Sequence, residues 1–71
     1  MKENIGTDRY GRKMLLYHQG RSVYCDHVRY GKVERTNSIC VDDSIIRMFS
    51  CQNISGAFIY DEIHRRYGRT L

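Results

Sequence analysis

The sequence predicts an α+β fold, with a small antiparallel sheet of three to four strands in the N-terminal two thirds and one short and one longer C-terminal helix packed on one face. Three observations predict it. Short runs rich in β-branched and aromatic residues, separated by turns that contain glycine, fill most of residues 13–41. After Asp42 the apolar spacing changes to steps of three and four, and Ser55 and Gly68 bracket the longer helical segment. At 71 residues there is room for one core only, because a domain of this size buries just about 60% of the surface its unfolded chain exposes. A single domain spanning residues 1–71 follows.

Residues 1–8 lack a clear apolar pattern and read as a frayed N-terminus. Lys13 to His18 form a short apolar strand without helix caps, Gln19-Gly20 supplies a turn, and Arg21 to Tyr30 run back as the second arm of a hairpin. In that arm Val23, Cys25 and His27 fall on one face, and Tyr24, Val28 and Tyr30 on the other with Asp26 among them. Neither face is cleanly polar, so either a bulge near Asp26-His27 or partial cover on both faces is expected. Gly31-Lys32 turns the chain again into a third strand, Val33 to Thr36, which pairs back as a meander. Asn37-Ser38 breaks that strand, and Ile39 to Val41 form a short further one.

Asp42, Asp43 and Ser44 can cap a two-turn helix whose apolar positions are Ile45, Ile46, Met48 and Phe49. Gln52-Asn53 interrupts it. Ser55 then caps the clearest element of the chain, in which Ala57, Ile59, Tyr60, Ile63 and Tyr67 recur at helical steps and Gly68 marks the stop.

Twelve Lys and Arg against eight Asp and Glu give a net charge of +4, and nine of the cations are arginines. Arginine's flat, forked cation suits phosphate and aromatic stacking, so the expected partner is DNA or RNA, or an acidic protein surface. No apolar run approaches the roughly 20 residues needed to cross a bilayer, and the N-terminus lacks the apolar core of a secretory leader. Three cysteines at irregular spacing fit reduced thiols better than a disulfide framework. These features predict a cytoplasmic location, with no membrane association and no cofactor.

One tetrapeptide type occurs three times: Arg9-Tyr10-Gly11-Arg12, Arg29-Tyr30-Gly31-Lys32 and Arg66-Tyr67-Gly68-Arg69. Each sets an aromatic ring between two cations beside a glycine that lets the backbone turn. This is the chemistry of a phosphate backbone with an unstacked base, and it equally suits the plain end of a strand or helix. The nucleic-acid reading assigns Arg9, Arg12, Arg29, Lys32, Arg66 and Arg69 to phosphates and Tyr10, Tyr30 and Tyr67 to bases, provided that the chain brings its three motifs together. The function expected on this reading is that of a small non-enzymatic regulatory protein.

Other chemistries are less well supported. A helix-turn-helix would present Phe58, Asp61 and Glu62 to the DNA, and phosphates repel those carboxylates. The order Asp61 before Arg65 and Glu62 before Arg66 instead gives helix-stabilising pairs. Cys25, His27, Cys40 and Cys51 are zinc-ligand types, but without a Cys-x2-4-Cys knuckle. Pairings of Cys25 or Cys51 with His18, His27 or His64 lack an anion cradle, so no enzymatic activity is expected. The alternative function is a protein-interaction module or inhibitor, of the kind mobile elements and phages encode, using Tyr24, Val28 and Phe58 as exposed anchors. An unpaired edge strand would also allow a homodimer.

Overall fold

The structure, a computed structural model, describes all of residues 1–71. Four strands, β1 (Glu3–Thr7), β2 (Lys13–Gln19), β3 (Ser22–Arg29) and β4 (Lys32–Cys40), precede two helices, α1 (Asp43–Phe49) and α2 (Gly56–Tyr67). The strands form one antiparallel sheet in chain order, each paired with the next. Both helices cover one face. Leu16, Val23 and Cys25 from the sheet meet Ile45 from α1 and Ile59 and Ile63 from α2, and all six are essentially buried.

The N-terminus corrects the sequence reading, because residues 3–7 form the edge strand β1 instead of fraying. Its local sequence is a poor strand former, and distant partners hold it in place. The Glu3 carboxylate accepts a hydrogen bond from the Gly56 N–H at the first turn of α2 (2.8 Å), where the helix dipole favours an anion. The adjacent Lys2 reaches Asp26 at 2.9 Å. Asn37-Ser38 is a second correction: β4 runs unbroken to Cys40, because Asn37 and Ser38 pair across to Cys25 and Tyr24. The bulge expected at Asp26-His27 is a third correction: that arm pairs with β2 in unbroken register, both of its faces are partly covered, and the extra residue is Glu34 on β4, opposite His27 and Val28.

Asp42 caps α1 and Ser55 caps α2 through side-chain bonds to Ile45 and Phe58, and Gly68 closes α2 in the left-handed conformation. No helix is long and apolar enough to cross a membrane. The meander places the β1–β2 and β3–β4 connections at one end of the sheet. The β2–β3 turn lies at the other, where the Val41 N–H donates to the Arg21 carbonyl.

Candidate nucleic-acid interface

The end of the sheet with two connections brings together two of the three tetrapeptides. In the β1–β2 loop Asp8 is the organising residue. Its carboxylate accepts from the Tyr10 and Arg12 N–H groups at 2.8 and 2.9 Å, and from Arg12 Nε at 2.8 Å. Tyr10 is thereby held out, 61% exposed, with the Arg9 and Arg12 guanidiniums 5.5 and 5.2 Å from its ring centre. The β3–β4 turn is tied to this loop, since Arg29 donates to the Tyr10 carbonyl (2.6 Å). Arg12 and Arg29 both lie 3.5 Å from Glu34.

The two central residues of the second turn, Tyr30 and Gly31, have φ of 53° and 77°. A two-residue hairpin with the native twist demands positive φ at both positions, which suits Asn-Gly far better than Tyr-Gly. Tyr30 is the one non-glycine residue of the chain in this conformation, at a cost of about 1 kcal/mol, and its side chain is 94% exposed.

Charge separates along the sheet. Residues 8–13 and 29–35 hold six cations, Arg9, Arg12, Lys13, Arg29, Lys32 and Arg35, against Asp8 and Glu34; all other residues hold six cations and six carboxylates. The whole net charge of +4 therefore sits at this end. Arg9, Lys13 and Lys32 are exposed and make no ion pair. An open cleft of about 630 Å³ adjoins the β1–β2 loop, with Arg9, Tyr10 and Arg35 among its lining residues.

At the inner wall of that cleft His27 bridges the loop to the chain's last residues. Its Nδ1 lies 2.7 Å from Asp8 and its Nε2 2.7 Å from the Leu71 main-chain oxygen, which also accepts from Asn37. The Leu71 side chain is buried in the core. Burial alone would raise the Asp8 pKa, but the Arg12 N–H, His27, the Arg12 guanidinium and the Tyr10 N–H outweigh it and hold the carboxyl well below the usual carboxylate range. The loop that carries Tyr10 is thus pinned by an ionised Asp8 across the ordinary pH range.

The third tetrapeptide lies elsewhere. The Tyr67 hydroxyl donates to Asp42 Oδ2 and accepts from the Asp42 N–H, both at 3.0 Å, beside the opposite end of the sheet. Arg66 is held by Glu62 (2.8 Å) and Ser44 (2.6 Å), whereas Arg69 is exposed without an ion pair and precedes Thr70 and Leu71, which line the cleft beside Arg9 and Tyr10. The requirement that three motifs meet is met by two.

The remaining candidates scatter. Tyr24 stacks on Tyr17 (ring centres 5.3 Å apart) on the face away from the helices, with Val28 half-buried, whereas Phe58 is 53% exposed on α2, so these three share no surface. Cys25 is fully buried, with its thiol pushed up to about 11 by desolvation, while Cys40 and Cys51 are exposed. No three His, Cys, Asp or Glu side chains form a metal-ligating group, so the structure does not bring Cys25, His27, Cys40 and Cys51 together.

Asp26 is 2% exposed on the face that no helix covers. Its desolvation is offset by Lys2, the Thr36 hydroxyl (2.8 Å) and the Tyr17 hydroxyl (3.0 Å), which together keep its pKa lowered. It is a satisfied structural ion.

Sequence reasoning missed Asp8, Lys13, Glu34 and Arg35. The signal for Asp8 was present, because an aspartate two residues before a Tyr-Gly pair is a side-chain-to-backbone turn former. No protein-family model, curated protein or solved structure matches this chain.

Proposed function

We propose that this is a non-enzymatic nucleic-acid-binding protein, a small regulator that engages phosphates and bases through the end of the sheet carrying Tyr10 and Tyr30. One observation carries the reading: the entire net charge lies around two exposed tyrosines on two adjoining turns, while the rest of the chain is neutral. Coulombic attraction to a polyanion is then directional, since one end draws the phosphates and the other does not. Within the site, Arg9 and Lys32, joined by Lys13 and Arg35, supply phosphate contacts, while Arg12 braces the Tyr10 loop through Asp8 and Arg29 ties it to the second turn.

The runner-up, a module that binds and modulates another protein, draws less support because Tyr24, Val28 and Phe58 do not form a patch. A homodimer through a sheet edge is also disfavoured. β4 carries Lys32, a bulge at Glu34 and Arg35, and β1 carries a register shift after Asn4, all features that discourage edge pairing. The deciding experiment titrates the full chain into mixed-sequence DNA and RNA probes across a salt series. Binding that weakens steeply with salt supports the proposal, and no binding at low salt overturns it.

A further inference from the structure

Five of the six tyrosines have an occupation within the fold. Tyr10 is flanked by two guanidiniums, Tyr17 stacks on Tyr24 under Lys2, Tyr60 is half-buried against the core, and Tyr67 bonds Asp42. Tyr30 has none. Its ring has no aromatic or cationic neighbour, its hydroxyl has no partner, and its backbone adopts a conformation that asparagine or glycine would take with less strain. A strained, unsupported aromatic at a hairpin tip gives the fold nothing, so its use lies outside the fold.

We propose that Tyr30 is a stacking platform for an unpaired base, so that the basic end selects single-stranded over duplex nucleic acid. This rests on the reading of that end as a nucleic-acid surface. The supporting argument is geometric. The turn projects one ring with both faces in solvent, and Lys32, exposed and unpaired, stands immediately beside it to take a phosphate next to the stacked base, while Arg29 holds the turn to the Tyr10 carbonyl. In a duplex each base face is already covered by its neighbours, whereas a single strand offers its faces at small cost. Tyr10 already carries two cations over its ring, which leaves Tyr30 as the ring with both faces open, and the Tyr10 main-chain carbonyl anchors the Tyr30 turn through the bond from Arg29.

The test compares the unmodified chain with Tyr30→Asn and Tyr30→Phe, using oligo(dT) and oligo(U) strands of about 15 nucleotides and a duplex of the same length, a span matched to known single-strand sites. Unmodified protein is expected to bind the strands more tightly than the duplex, with the two strands distinguishing DNA from RNA as the preferred source of unpaired bases. Tyr30→Asn is expected to raise Tm, because it relieves the turn, and to lower strand affinity by about tenfold to a hundredfold, the range for loss of one base–aromatic stack. Its duplex affinity stays unchanged, and Tyr30→Phe binds the strands as the unmodified chain does. Equal strand affinity of Tyr30→Asn and unmodified protein overturns the stacking role while leaving the basic end as a binding surface. A preference for duplex does the same. Failure of the unmodified chain to bind any probe overturns both.

Discussion

At one end of the sheet Arg9, Lys13 and Lys32 stand free in solvent around Tyr10 and Tyr30; at the other, Arg66 is clasped by Glu62 and Ser44, and the Tyr67 hydroxyl exchanges hydrogen bonds with Asp42. The tetrapeptide is nearly the same in both places. The difference lies in its neighbours. In the third motif Asp42, Ser44 and the i,i+4 partner Glu62 absorb the Arg66 charge and Asp42 the Tyr67 hydroxyl, so these two residues become structural, and only Arg69 stays exposed and unpaired. Where the first two lie, Asp8 and Glu34 neutralise only part of six cations, and they do so while fixing the loop in an exposed shape. A recurring motif therefore has no function of its own until the carboxylates around it are counted.

The largest effect that would break this comparison is in affinity. Replacing Arg9, Lys13 and Lys32 with glutamine is expected to lower single-strand binding by at least tenfold and to reduce the salt slope by about 2, at roughly 0.7 per phosphate contact. The matched replacement of Arg21 and Arg47, also exposed and unpaired, leaves both unchanged. Fluorescence anisotropy over a salt series reads the result, and an equal loss per replaced cation in the two variants would erase the distinction between the ends.

Stability against pH comes next. Asp8 at the basic end, and Glu62, lowered to about 2 by Arg65 and Arg66, both ionise more readily when folded than when unfolded. Their contributions are thus present at neutral pH and fade as pH falls from about 4 toward those depressed values. Urea midpoints measured from pH 7 to pH 2 should show Asp8→Asn flattening the acid limb more than Glu62→Gln. Asp8 holds a loop and a histidine, whereas Glu62 holds two exposed or half-exposed arginines.

The smallest effect separates the tyrosines by their hydroxyls. Tyr67→Phe removes both bonds to Asp42 and is expected to lower Tm by a few degrees. Tyr10→Phe and Tyr30→Phe remove no hydrogen bond and should leave Tm unchanged within error in thermal denaturation.

Much of the fold was legible in the sequence because its signals are local. Ser55, the apolar steps to Tyr67, and Gly68 defined α2, and the turn expected at Gly31-Lys32 falls one residue earlier, at Tyr30-Gly31, with Lys32 already in β4. What escaped is held by partners far apart in the chain. β1 depends on a bond from Glu3 to residue 56, and Asn37 continues β4 while its side chain serves Leu71, neither of which a window of neighbouring residues encodes. For the site, the adjacency of the first two motifs follows from meander topology, since alternate turns share an end. The exclusion of the third came from Asp42, Ser44 and Glu62, whose side chains converge on Arg66 only in three dimensions.

The bond between Glu3 and Gly56 also bears on the order in which the chain assembles. A Cβ at position 56 would lie 2.7 Å from the Glu3 carboxyl carbon and 2.9 Å from the Ile5 side chain, so glycine is what permits β1 to seat against the start of α2. Glu3 and Gly56 are 53 positions apart, and His27 and the Leu71 oxygen are 44 apart, so each clasp closes a long loop. Long loops close late, after the tight β2–β3 and β3–β4 hairpins have formed. The two ends of the chain thus act as buckles on an already folded meander, and weakening either one would hasten unfolding while leaving the folding rate almost untouched.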